Sequence, residues 1–275
     1  MKKLLVSLFA LGLLSMPAMA ATWTAADRVN TVGAQLLKKN GLPENTKFKV
    51  VNGEADNTDA TVTNTIQISS TDLTYTGNDN EVAAVIAREL AYIINGRATK
   101  SKMRDFAKAA INNSLSEGNL IKSAANSDFA ANKATMGDNK EADVTGADLM
   151  IQANYNPLAS IVVLTKMPGS TMEIAMGKPC NSERAMNIYD YLTYNYPSKV
   201  KAGYGCKEYK AFLTYADPIV KERNSNKKKL EKFNKEQEKN RAIRAKNIAQ
   251  YKSTGLSGWD ASYNLLKAFT ESSVK

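Results

Sequence analysis

Residues 85–97 read VIARELAYIINGR. Together with the preceding residues they place Val82, Ile86, Leu90, Ile93 and Ile94 at spacings of three and four, the period of an α-helix with one apolar side. The spacing predicts a helix from Glu81 to about Gly96. Asn78 offers a side-chain oxygen for the N-cap, and Glu81 three residues later completes a capping-box pattern. Arg88 and Tyr92, four apart, share a different face, with Glu89 beside Arg88.

Working outward, the period changes. In TVTNTIQIS, residues 61–69, Val62, Asn64, Ile66 and Ile68 alternate with Thr and Gln, which predicts a strand with one buried face. Phe48 and Val50 suggest a shorter strand before it. Residues 24–43 carry Val29, Val32, Leu36 and Leu37 at helical spacing and close at Gly41 and Pro43. Downstream, a polar, Ala-rich stretch at 101–133 suits one or two helices. NKEADVTGADLMIQANYNP, residues 139–157, predicts a helix from Asn139 to Ala153. Asn156 and Pro157 are placed to start the next one, LASIVVLTKM. A loop over 168–185 leads to a helix from Ala185 to Tyr194 and a YPSKV turn. Residues 221–250, rich in Lys, Asn and Glu, read as one long solvated helix with a thin apolar seam at Leu230, Phe233, Ile243 and Ile248. Its expected partner is the terminal apolar stretch around Trp259, Leu265, Leu266 and Phe269. No internal repeat and no glycine-rich phosphate loop is present.

At 275 residues with 43% hydrophobic and 23% charged, the chain has the composition of a globular protein, not a fibrous or disordered one. MKKLLVSLFALGLLSMPAMA has a basic start, an apolar run too short to span a bilayer, and an A-x-A signal at Ala18-Met19-Ala20. We expect a signal peptide at 1–20, a periplasmic or secreted location and no transmembrane segment. That compartment permits disulfides, so Cys180 and Cys206 are expected to pair, worth about 3 to 4 kcal/mol in the chain-entropy model; two free thiols are the alternative. The net charge of +10, or +8 without Lys2 and Lys3, favours anionic partners. For an exported chain these are surfaces and cell-wall polymers rather than nucleic acid. The histidine count is zero. That removes a Ser-His-Asp triad, a histidine general base and the usual nitrogen ligands of zinc.

A zinc peptidase helix of the H-E-x-x-H type carries two imidazoles on successive turns, a glutamate beside the first as general base, and takes a third ligand from elsewhere. Here NEVAAVIARELAYIINGR resembles the D-E-L-A-A-V-x-A-H-E-x-A-H helix of the metallopeptidase family that includes CAAX prenyl proteases, the heat-shock membrane protease HtpX and soluble periplasmic proteases. NKEADVTGADLMIQANYNP is similar to that family's E-x-E-A-D-x-x-G-x-x-L-M-x-x-A-G-Y-D-P, and TYNYPS is a weaker echo of its T-H-P-S turn. The resemblance covers about residues 45–200. It implies a mixed α+β, mostly helical, gluzincin-like domain over 21–220, with a small sheet beside the active-type helix and a basic helical extension at 221–275.

The resemblance also assigns residues. Glu89 takes the place of the general base, Arg88, Tyr92 and Asn139 the three metal-ligand positions, Glu141, Asp143 and Tyr196 the surrounding pocket, and Asn64, Ile66 and Ile68 the edge strand that pairs with substrate backbone. Zinc is the family's cofactor, yet every ligand position has changed. A guanidinium has no lone pair and stays protonated, so Arg88 would repel a divalent cation. We therefore expect no cofactor, and a polar cluster of Arg88, Glu89, Tyr92, Asn139 and Asp143 in which Arg88 supplies the positive charge the metal no longer does. The expected role is a non-catalytic peptide- or protein-binding domain of the cell envelope. The alternatives are an active zinc endopeptidase with unusual ligands, and a surface or adhesion module that works through the basic helix 221–250.

Overall fold

The computed structural model describes residues 23–57, 60–95, 139–169, 180–252 and Trp259. The expected signal peptide, the helices at 101–133 and the terminal residues Leu265, Leu266 and Phe269 lie outside the described residues. The architecture is mostly helical with a small two-stranded parallel sheet.

Helix α1 (Ala25–Lys39) is N-capped by Thr24, whose side chain accepts the Asp27 N–H, and buries Val29, Val32, Leu36 and Leu37. A Cβ on Gly33 would lie 2.4 Å from the Phe48 ring, so α1 can press this closely on strand β1 (Lys47–Val51) only because residue 33 is glycine. After β1 come a one-turn helix α2 (Ala60–Thr63), strand β2 (Thr65–Ser69) and a one-turn helix α3 (Ser70–Leu73). The strands pair in parallel with Phe48 opposite Ile66 and Val50 opposite Ile68. Ile66 and Ile68 have no exposed surface.

The strand expected from Val62 begins at Thr65 instead. Val62 belongs to α2, and Asn64 takes φ 49° in the turn between them, a left-handed conformation that asparagine tolerates better than most residues. Its side chain accepts from Thr46 at 2.8 Å and from Trp259 Nε1 at 3.4 Å. Apolar–polar alternation continued through the turn by chance of composition.

Helix α4 (Asp79–Ile94) is the predicted one. Asn78 Oδ1 accepts the Glu81 N–H, while the Glu81 carboxylate reaches back one residue further than a capping box requires, to Gly77 N–H at 2.7 Å. The same oxygen takes Lys166 Nζ at 2.6 Å, which neutralises a carboxylate only 3% exposed. Helix α5 (139–152) ends where Asn154 adopts φ 64° and Tyr155 N–H returns to Met150 O at 2.8 Å, a Schellman-type stop. Asn156 Oδ1 accepts from Leu158 N–H ahead of α6 (Ala159–Lys166).

Helices α7 (Asn181–Asn195), α8 (Pro197–Ala202), α9 (Lys207–Ser225) and α10 (Lys227–Lys252) complete the described chain. The YPSKV turn is thus a short helix with Pro197 at its first position. The single helix expected over 221–250 is two helices broken at Asn226, and the domain boundary expected at 220 falls inside α9. Ile243, expected in the apolar seam, is 46% exposed, whereas Arg244 beside it is buried. Trp259 joins the core around α1, β2 and α4 rather than packing on α10 as expected.

Two apolar cores meet at α5. Ala142, Leu149, Met150 and Ala153 face the core of α1, β2 and α4, and Ala147 faces that of α6, α7 and α9. At Gly146 an added Cβ would stand 3.3 Å from the backbone of Ala87 and Arg88, so glycine lets α5 cross α4 in direct backbone contact. That crossing sets the acidic residues of α5 beside Arg88.

Candidate functional site

Arg88 leaves α4 toward α5. Its Nη2 donates to the Tyr92 hydroxyl at 2.6 Å, one turn on, and the Tyr92 hydroxyl donates to Asn139 Oδ1 at 2.6 Å. Its Nε lies 3.6 Å from Asp143 Oδ1, beyond hydrogen-bond reach but within ion-pair range. The guanidinium also stands 5.0 Å from the centre of the Tyr92 ring, a cation–π distance. Burial works against its charge, but Tyr92, Asp143, Glu89 and Asp72 together outweigh it and hold the Arg88 pKa above its ordinary value.

The nearest cation to Asp143, however, is Arg184 of α7. Its Nε and Nη2 donate to Oδ2 and Oδ1 at 2.8 and 2.6 Å, a bidentate pair whose side chains are 7% and 2% exposed. Asp143 is thereby held between two guanidiniums. A cleft of about 410 Å³, counted to its open mouth, lies here, lined by Arg88, Asp143, Arg184, Asp72, Met167 and apolar residues of α4 and α6.

The structure brings together Arg88, Tyr92, Asn139 and Asp143, and gives the other expected residues hydrogen bonds or ion pairs to other partners. Glu89, about 100° further round α4, turns toward β2 and accepts from Asn57 Nδ2 at 2.8 Å. Glu141 faces Arg244 of α10 at 3.2 Å. Tyr196 donates to Asp148 at 3.0 Å, in a second buried cluster where Asp148 also accepts from Tyr191 and from Arg244 Nη2 at 2.8 Å. Burial raises the Asp148 pKa against the opposing pull of Arg244 and the tyrosine hydroxyls. Burial likewise pushes Tyr191 and Tyr196 well above the usual phenol value. The structure shows no bond between Cys180 and Cys206, the expected pair, which stand each at the N-cap of its own helix. Cys206 Sγ accepts the Tyr209 N–H at 3.4 Å and Cys180 Sγ lies 3.1 Å from Ser182 Oγ, so each sulfur is engaged locally.

Sequence reasoning missed Arg184, Asp148, Tyr191, Arg244 and Asn57. A buried aspartate demands a cation, but nothing in the sequence says which arginine, 41 residues away, supplies it.

The residues at the three positions where the resemblance would place metal ligands do not fit zinc. A permanently protonated guanidinium occupies one, and the hydroxyl and carboxamide of the other two are bonded to each other. Among the described residues no group of three or more Asp, Glu, Cys or His is arranged to hold a metal ion. None of the described helices is long and apolar enough to cross a membrane. Comparison with known proteins finds no matching family model, no matching curated protein and no matching solved structure.

Proposed function

We propose that this chain is an exported, non-catalytic relative of the zinc metallopeptidases named above, with a gluzincin-like fold, and that it binds peptide or protein in the cell envelope. The observation that carries this reading is the chain Arg88–Tyr92–Asn139 together with the Arg184–Asp143–Arg88 contacts. Side chains at all three ligand positions are bonded to one another. Charge that a metal would neutralise is neutralised from within the protein. Removing a cation from a site that keeps a buried carboxylate is costly unless another cation replaces it, and here two do. The crossing at Gly146 and the order strand, helix, acidic helix support the family reading without depending on the ligands.

On this reading Glu89 no longer acts as a base; the bond its carboxylate accepts from Asn57, which holds that residue against β2, supports a structural role instead. The β2 edge then becomes the surface with the chemistry to bind peptide backbone.

Elemental analysis of the purified protein, combined with a peptide-cleavage assay of wild type and Glu89→Gln, tests the proposal. The expected result is less than a tenth of an equivalent of zinc and no cleavage in either. Near-stoichiometric zinc, with cleavage lost in the variant, would establish an active endopeptidase instead.

A further inference from the structure

The two edges of β2 are filled in different ways. N–H and C=O of one strand residue point to the same side, and successive residues alternate. Asn64 O accepts Lys47 N–H at 3.0 Å, so the even-numbered residues address β1 and Gln67 addresses the opposite edge. There no backbone strand pairs with it among the described residues. Instead its N–H donates to Asn57 Oδ1 at 2.7 Å and its C=O accepts from Asn57 Nδ2 at 3.0 Å.

One side-chain amide thus exchanges both ladder bonds with one strand residue. In backbone pairing, a single residue exchanges both bonds with a single partner only at the hydrogen-bonded pair of an antiparallel ladder; a parallel neighbour splits them between two residues. The Asn57 carboxamide therefore imitates one residue of an antiparallel strand. Its nitrogen also donates to Glu89 Oε2 at 2.8 Å, so the amide bridges the strand edge and the helix α4.

We propose that Asn57 is a displaceable placeholder, and that an extended peptide segment binds antiparallel to β2 by taking over the two bonds at Gln67. This rests on the peptide-binding reading above. The exchange keeps the bond count at Gln67 unchanged, because the incoming backbone supplies one donor and one acceptor where the amide did. Residues 52–54 and Asp56, which carry Asn57, are exposed. Asp56 N–H reaches Gln67 Oε1 at 3.4 Å, Asn57 O accepts Ala60 N–H at 3.2 Å and Asn52 Oδ1 accepts from Ser70 at 3.3 Å, and none of these uses the Asn57 carboxamide. Ile66 and Ile68 are buried in the core and cannot read the ligand's side chains. Selection falls instead to Glu89, which loses its Asn57 donor and favours a ligand presenting an amide or ammonium donor while disfavouring an acidic one.

The experiment uses the full chain and a short labelled peptide of alternating valine and threonine, followed by fluorescence anisotropy, with hydrogen exchange read at the Gln67 amide. The expected outcome is roughly ten-fold tighter binding to Asn57→Ala than to wild type, the gain from removing an internal competitor worth about one net bond pair. The Gln67 amide should exchange faster in the free variant and slow again with peptide. The same peptide N-methylated along its backbone should not bind, a control that needs no second folded variant. Equal binding to both proteins, with Gln67 exchange unaffected by the peptide, would overturn the placeholder while leaving peptide binding to another surface. Binding to neither would overturn both readings.

Discussion

At the scale of the residue, the site is decided by what surrounds one carboxylate. Asp143 is 2% exposed and would be prohibitive to ionise alone. Its two guanidiniums are unequal: Arg184 grips it with two short bonds, while Arg88 stands 3.6 Å off and spends its own bond on Tyr92. Arg184→Met should therefore destabilise the protein by about 3 to 5 kcal/mol, because it strands a buried charge. The double variant Arg184→Met/Asp143→Leu should recover most of that loss, since replacing both partners with apolar groups removes the desolvation cost together with the attraction. Urea midpoints of the two variants and wild type measure both numbers. A loss below about 1 kcal/mol in the single variant would show that Arg88 alone suffices. Arg88 and Tyr92 were legible because a helix fixes the relation of i to i+4, and Asn139 and Asp143 because the resemblance pointed to the stretch 139–157 as the partner helix. Arg184 was not, because its position depends on how α7 packs, which no local spacing encodes.

At the scale of the element, α10 shows how far helical periodicity reads and where it stops. Over 227–246, where burial is described, Leu230, Phe233, Gln237, Arg241 and Arg244 are its half-buried or buried positions, all on one side. The seam was legible at its start, where Phe233 packs on Tyr194 and under Arg223. It failed at Ile243 because the residue that docks there is Arg244, held by Asp148 and Glu141, and a charged anchor is invisible to an apolar pattern; the side chain of Ile248 lies outside the described residues. The opposite side is as regular: Lys228, Lys232, Lys235, Lys239 and Lys246 fall at i, i+4, i+7, i+11 and i+18, all exposed. Five ammonium groups in a row of about 27 Å match a surface with dense, uniform negative charge better than a single acidic pocket. Vesicles of phosphatidylglycerol should sediment the protein at low salt and release it as salt rises, and vesicles of phosphatidylcholine should not. Changing the five lysines to glutamine should abolish sedimentation while leaving the helix content unchanged. Binding that survives the changes, or resists salt, would remove the stripe from the account.

At the scale of the whole molecule, several of the polar groups that tie elements together are tyrosine hydroxyls, which adds an alkaline branch to the pH response. Tyr204 reaches from the loop after α8 to the Asn78 and Glu81 side chains that start α4. Burial is the main cause that lifts its pKa to about 12, with the nearby Glu81 adding to it. Tyr191, Tyr196 and Tyr209 are raised as well, again chiefly by burial. A group that holds its proton more tightly folded than unfolded contributes stability that is complete below its unfolded pKa, near 10 for tyrosine, and is lost as pH rises through the folded value. For Tyr204 that window runs from about pH 10 to about pH 12. With no histidine in the chain, none of this arises from imidazole titration between pH 6 and 8. In an alkaline titration, the near-ultraviolet absorbance of tyrosinate should therefore rise in two stages. The exposed phenols should ionise reversibly near pH 10, and the buried set only together with the loss of far-ultraviolet circular dichroism. Tyr204→Phe should shrink the second stage and flatten the fall in stability above pH 10. A single smooth titration that precedes unfolding would mean that these hydroxyls are not the bolts that join α5 to α7 and the loop after α8 to the start of α4.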